Sequence, residues 1–345
     1  KRIPMIYVGG NDGMLHGFSA LNGEELVAYI PKGVVKELTQ LSDPGYSHRY
    51  YVDGSPFTGD ADVAGPTAGA PDWRTLLVGT LGAGGKGYFI LDVTKPGTTD
   101  GAISSNFINN ATFASAVVQL DKTIHPADVL TTTTEDADIG HIFASPVVDP
   151  SNPYVPAQMV KLNDNRWAVV MGNGYNSTNE RPVLLIQYLD GAKEIKRISA
   201  AAIGSAEAVQ NGLSAPKLVD INSDGKPDIV YAGDLRGNMW KFDISSTTSS
   251  SWNVALSGSP LYKAKDATNN IQPITAPPSV KVNDRGASGM MVAFGTGRNV
   301  TLADRTDISS QTFYSVIDST KYKKLSWFKL NWLCKKIFIS TKQQK

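Results

Sequence analysis

The sequence is poor in cysteine. Cys334 is the only one in 345 residues, which excludes an internal disulfide framework and a cysteine-based zinc site. No apolar run reaches the roughly 18 residues that a membrane-spanning helix needs. Residues 1–320 also lack a basic surplus. The last 25 residues, 321–345, hold eight lysines and no acid, which leaves 25 basic against 32 acidic residues in the rest. That body shows no nucleic-acid footprint. Histidine is scarce: His16, His48, His125 and His141 are scattered. None lies in H-E-x-x-H, and no G-x-S-x-G nucleophile elbow occurs. Helical periodicity is thin as well. Only Lys32 to Leu41, with Val34, Val35, Leu38 and Leu41 at helical spacing, reads as a short surface helix.

What is plentiful is turn chemistry. The chain carries 32 Gly and 19 Pro, so strands should be short and turns many. One plan recurs: an apolar strand, a Gly-rich turn, a second apolar strand, and often a closing Asp. It runs over Ile6 to Phe18, Leu76 to Val93, Ala168 to Asp190, Ile229 to Asp243 and Met291 to Asp318. A small residue followed by Pro precedes four of these, at Gly54-Ser55-Pro56, Ala144-Ser145-Pro146, Ser214-Ala215-Pro216 and Thr275-Ala276-Pro277. Proline at the start of a strand removes a donor where it is least needed. All-β repeats of this length predict an all-β fold, a β-propeller of four-stranded antiparallel blades whose ring closure is left open. The uneven spacing predicts loop insertions at 95–140 and 150–165. Thr131–Thr134 and Ser245–Ser251 read as exposed loops. The propeller is expected over 1–320, with 321–345 a basic tail outside the repeat. The chain opens at Lys1 with no signal peptide, and it reads as cut from a longer protein, so a missing leader says nothing about secretion.

The most specific stretch is Asp220-Ile221-Asn222-Ser223-Asp224-Gly225-Lys226-Pro227-Asp228. Oxygen-bearing side chains fall at positions 1, 3, 5 and 9, with glycine at position 6, as in the first half of an EF-hand loop. Calcium takes about six to eight oxygens, and a loop that turns alternate side chains inward can wrap it. The expected ligands are the side chains of Asp220, Asn222, Asp224 and Asp228 and the carbonyl of Lys226. An acidic turn is the plain alternative. Carboxylates about 5 Å apart, however, repel by roughly 3 kcal/mol at an effective dielectric near 20, and a cation relieves that. The Gly82-Ala83-Gly84-Gly85-Lys86-Gly87 run matches G-x-G-x-x-G, but the apolar strand Tyr88 to Val93 follows where a dinucleotide site needs a helix. It reads as a hairpin turn.

Three further stretches carry a resemblance: Tyr7 to Phe18 (YVGGNDGMLHGF), His48 to Pro56 (HRYYVDGSP) and the Gly82–Gly87 run. With Asp220–Asp228 and the following Ala232 to Asn238, they resemble the C-terminal domain of the PilC/PilY family of type IV pilus biogenesis factors and pilus-tip adhesins. The resemblance spans about Ile6 to Asp318. It implies a modified β-propeller and calcium control of pilus extension and retraction, with effects on twitching motility and adhesion. The implied location is the cell surface, pilus tip or outer membrane of a Gram-negative bacterium. The implied partners are the pilus machinery, through minor pilins or the pilus tip, and a host surface through an N-terminal region not in this chain. The family's C-terminus is unlike Lys321–Lys345. A non-enzyme is expected. The competing reading is a quinoprotein dehydrogenase, because the first repeat with Asn22-Gly23-Glu24-Glu25 also looks like a blade motif of those enzymes. An integrin-like propeller is a third, weakened because one blade alone carries the loop.

Overall fold

The computed structural model describes residues 2–98, 102–108, 110–143, 147–149, 152–283 and 289–320. The expected Ala144-Ser145-Pro146 mark, the basic tail and Cys334 lie outside them.

All five hairpins of the sequence plan form, each the centre of an antiparallel sheet. The first sheet is β1 (Met5–Gly9), β2 (Leu15–Ser19) and β3 (Glu25–Tyr29). The second is β4 (Phe57–Asp62), β5 (Trp73–Thr80), β6 (Tyr88–Asp92) and β7 (Val118–Asp121). A small hairpin, β8 (Val148–Asp149) with β9 (Asn152–Pro156), precedes the third. That sheet is β10 (Met159–Lys161), β11 (Trp167–Gly172), β12 (Val183–Tyr188) and β13 (Ile195–Ser199). The fourth is β14 (Lys217–Val219), β15 (Ile229–Gly233) and β16 (Asn238–Asp243), with an interrupted outer strand made of β17 (Asn253–Val254) and β18 (Tyr262–Lys263), both paired to β16. The fifth is β19 (Ser279–Val282), β20 (Met290–Gly295) and β21 (Phe313–Asp318).

The all-β expectation of antiparallel blades holds, with four strands per blade in the middle sheets and three among the described residues in the first and fifth. Two expectations need correction. The stretches expected as loop insertions are partly blade. Residues 95–140 contain β7, and 150–165 contain β9 and β10. The expected helix at Lys32–Leu41 is a 3₁₀ helix over Val35–Ser42, with Val34 buried just before it.

Successive sheets pack face to face. Leu15, Val27 and Tyr29 of the first meet Leu77, Phe89 and Leu91 of the second. Leu76, Val78 and Ile90 on the other face of the second meet Val169, Met171 and Leu185 of the third. Val170, Leu184 and Ile186 meet Val230, Trp240 and Phe242 of the fourth. Tyr231 and Met239 meet Val292 and Phe294 of the fifth. A sheet between two neighbours is apolar on both faces, so β12 and β15 are buried throughout. The alternation typical of a half-covered sheet survives in β1 and β21. At roughly 1.5–3 kcal/mol per large side chain fully buried, these interfaces are the main favourable term.

The recurrent Asp has a local task. Asp92, Asp121, Asp243 and Asp318 each end a strand and accept the amide two residues on, from Thr94, Thr123, Ser245 and Thr320, at 2.8–3.0 Å. The Asx-turn stops the strand and turns the chain out of the blade.

Candidate metal loop

The loop at Asp220–Asp228 joins β14 to β15, and strand pairing fixes its ends. The amide of Asp228 donates to the Val219 carbonyl at 2.9 Å, and the amide of Ile244 donates to the Asp228 carbonyl at 2.9 Å. Within this frame Ser223 and Gly225 take left-handed φ of 61° and 86°. Nothing lies within 4 Å of the Cβ that Gly225 lacks, so the glycine answers to backbone conformation rather than to space.

The ligand candidates turn inward on the loop's own backbone. Asp220 Oδ1 accepts the amides of Ser223 and Asp224 at 2.6 and 3.3 Å, and its Oδ2 accepts that of Gly225 at 2.8 Å. Asn222 Oδ1 accepts the Asp224 amide, and Asp224 Oδ1 accepts the Lys226 amide. Asp228 is 5% exposed, and its Oδ2 accepts the Ile221 amide at 2.9 Å. Burial pushes the Asp228 carboxyl up, and the charges of Asp220 and Asp224 push it the same way against the bonds from the Ile221 and Asn222 amides. Asp228 therefore senses the other two carboxylates of the loop. As placed, no three His, Cys, Asp or Glu side chains among the described residues converge closely enough to hold a metal ion. The charge crowding at Asp228, in a loop of this spacing and turn, is what a hard cation taking oxygen ligands would relieve.

The sequence reading missed a support from the preceding blade. Asn163, in the turn between β10 and β11, is buried and donates to the carbonyls of Pro227 and Ile244 at 2.8 and 3.0 Å. Lys226 points out of the loop and donates to Asn165 Oδ1 at 2.8 Å. The run Asn163-Asp164-Asn165 signals a turn, but not what that turn touches.

The small-residue–Pro marks meet elsewhere. Ser55, Ser214, Ala215 and Thr275 line one cavity of about 250 Å³, walled by Phe57, Phe143, Met171 and Leu213. No charged side chain lines it among the described residues. The Gly82–Gly84 turn folds as expected, as the connection between β5 and β6. The four histidines stay apart. His16 sits between Asp12 and Glu25, His125 meets Glu37, and His141 contacts the Gly82 carbonyl.

Comparison with known proteins bears on the family and the fold. Residues 1–327 match the family model described as the PilY1 beta-propeller domain. A type IV pilus biogenesis factor PilY1 of Pseudomonas aeruginosa is 36% identical over 343 residues, covering 92% of this chain and 26% of that protein. A homolog from Xylella fastidiosa is 34% identical over 325 residues, covering 91% of this chain and 19% of its own length. The chain thus spans about a quarter or less of these relatives. The crystal structure of the Pseudomonas aeruginosa PilY1 C-terminal domain superposes with a TM-score of 0.68 at 34% identity, over 94% of this chain and 59% of that one.

Proposed function

This chain belongs to the PilY1 β-propeller family, and we propose that it is the calcium-binding domain of a type IV pilus biogenesis factor, with calcium occupancy setting whether pili stay extended or retract. The relatives are named as pilus biogenesis factors, which makes the pilus machinery, through minor pilins or the pilus tip, the partner this reading takes. The location that follows is the cell surface. No helix among the described residues is long and apolar enough to cross a membrane.

The observation that carries the reading is the Asp220–Asp228 loop. Asp220, Asn222, Asp224 and Asp228 would hold the ion with their side chains, and Lys226 with its carbonyl. Calcium supplies the positive charge for which the carboxylates compete. Binding to the folded loop stabilises it with the logarithm of calcium concentration. The loop is held between two strands of one blade, so its ordering can change while the blades persist, which suits a switch.

The domain acts without catalysis in this reading. A quinone dehydrogenase of the competing class would need a site for a polyanionic cofactor. The cavity of about 250 Å³ where the marks converge has no charged lining among the described residues, and the cavity that holds the arginines Arg236 and Arg298 also holds the acid Asp307.

The test uses the full-length protein with Asp228→Ala. Calcium binding is expected to fall below detection by calorimetry, and surface pili and twitching are expected to drop while the retraction motor is present. Pili are expected to return when the motor is deleted. Wild-type piliation and motility, with calcium binding abolished, would reduce the loop to a staple for a turn.

A further inference from the structure

At the opposite end of the fourth sheet from the metal loop, a cavity of about 310 Å³ opens between the fourth and fifth blades. Arg236, from the turn between β15 and β16, and Arg298, from the loop between β20 and β21, both line it. We propose that this cavity is a carboxylate-binding site for the acid group of a peptide or protein partner, with the stem beside that acid resting on Leu235, Ile271 and Pro273.

The guanidinium of Arg236 is under-used. Its Nη1 reaches the Val209 carbonyl at 3.4 Å. Its Nε is shielded from solvent and has no hydrogen-bond partner. The nearby acid Glu207 is committed elsewhere: it accepts from Lys263 Nζ at 2.5 Å and from Asn238 Nδ2 at 2.8 Å. Arg298 is half engaged. Its Nε donates to Asp304 Oδ1 at 2.7 Å, and the amides of Val300 and Thr301 satisfy the other Asp304 oxygen. Both guanidinium groups therefore keep N–H groups that no hydrogen bond among the described residues takes up. A shielded donor without an acceptor is costly, and the planar fork of arginine matches a carboxylate or a phosphate.

Asp307 decides between the two. It lines the same cavity and stays ionised, its carboxyl held down by the Ser309 amide. A doubly charged phosphate would meet that charge, whereas a single carboxylate meets half the repulsion. The apolar wall favours an acid carried on an aliphatic stem. Gln210, also in the lining, holds a left-handed φ of 52°, a conformation that persists only where its surroundings enforce it.

The experiment titrates the full chain, labelled with ¹⁵N at arginine, and follows the Arg236 Nε–H resonance. The probes are an acetylated Ala-Leu dipeptide with a free C-terminal carboxylate, the same peptide amidated, an amidated Glu-Leu dipeptide and inorganic phosphate. At least one carboxylate peptide is expected to shift that resonance and to bind about tenfold tighter than the amidated Ala-Leu control and than phosphate. A winning free C-terminus identifies a chain end as the ligand, and a winning Glu-Leu peptide identifies an acidic side chain. Arg236→Gln, which lacks that resonance and is read by calorimetry, is expected to weaken binding about tenfold. Asp307→Asn, on the rim, should tighten it and serves as the deciding variant if Arg236→Gln does not fold. No shift with either carboxylate peptide overturns the proposal. So does phosphate binding as tightly, or an affinity indifferent to both substitutions.

Discussion

Asn163 Nδ2 donates to the carbonyl of Pro227, 2.8 Å away across a blade boundary, and so fixes the candidate metal loop from outside its own sheet. The same nitrogen reaches the Ile244 carbonyl at 3.0 Å. Asn163→Ala leaves both acceptors unpaired in a buried setting. The expected cost is about 1–3 kcal/mol, read from the denaturant midpoint at an unchanged slope. Calcium affinity should fall as well, because Pro227 immediately precedes the ligand candidate Asp228. Unchanged stability would show that the contact contributes nothing net.

Gly84 meets a harder limit. A Cβ there would stand 1.9 Å from the Tyr51 carbonyl oxygen, a backbone atom that cannot rotate away. Gly84→Ala must shift the β5–β6 connection off the chain that leads into the second sheet. The expected loss is about 1–3 kcal/mol, measured by urea unfolding. Gly23→Ala makes a useful comparison, since nothing lies within 4 Å of the added atom and only its φ of 77° resists. A loss at Gly84 no greater than at Gly23 would sink the clash argument.

The five hairpins were legible because each pairs two apolar runs across a turn of small residues, and the blades then follow from repetition. The turn at Asp220–Asp228 was legible because its Asp, Asn and Gly spacing is local. β7 was not: Val118–Asp121 is four residues, all half-buried, with no alternation to mark it. The 3₁₀ helix at Val35–Ser42 misled because Val34, Val35 and Leu38 satisfy a helical period as well as the tighter turn. Asn163 and the Arg236–Arg298 pair were invisible for a different reason. Each owes its setting to packing between consecutive blades, and single-sequence periodicity reports only what a residue does within its own strand or turn.

His16 carries a pH dependence. Its Nδ1 lies 2.5 Å from Glu25 Oε1 and its Nε2 lies 2.8 Å from Asp12 Oδ2. Only the imidazolium donates from both nitrogens. The bond to Glu25 raises the His16 pKa most; burial opposes it, and Asp12 adds to the rise. A folded pKa above the unfolded value near 6.5 means that the stabilisation is complete below that value. It is lost as pH rises through the folded pKa. Stability of the first blade should therefore decline as pH rises above 6.5 through the raised folded value, and His16→Gln should flatten that slope. An NMR titration that placed the His16 pKa at or below 6.5 would remove the effect.

Lys241 and Asp318 join the fourth and fifth blades through a pair shut off from water. Lys241 Nζ lies 2.6 Å from Asp318 Oδ2, with both side chains 2% exposed. Tyr231 Oη donates to the same oxygen at 2.6 Å, and Thr320 donates to Oδ1 through its amide and hydroxyl. Burial alone would raise the Asp318 carboxyl, yet the bonds from Lys241, Thr320 and Tyr231 outweigh it and hold the group well below the usual carboxylate range. The stabilisation is present above the unfolded value near 4 and is lost as pH falls toward the depressed folded value. Asp318→Asn leaves the lysine charge buried without its counter-ion and should cost about 3–5 kcal/mol. Lys241→Met should cost a similar amount for the mirror reason. The double variant Lys241→Met with Asp318→Leu removes both charges and fills the space, so its loss should be smaller than the sum of the single losses. Acid unfolding followed by tryptophan fluorescence should show Asp318→Asn with a shallower decline below pH 4 than the parent. Additive single and double losses, with an unchanged acid limb, would mean that the pair is no more than two independent polar contacts.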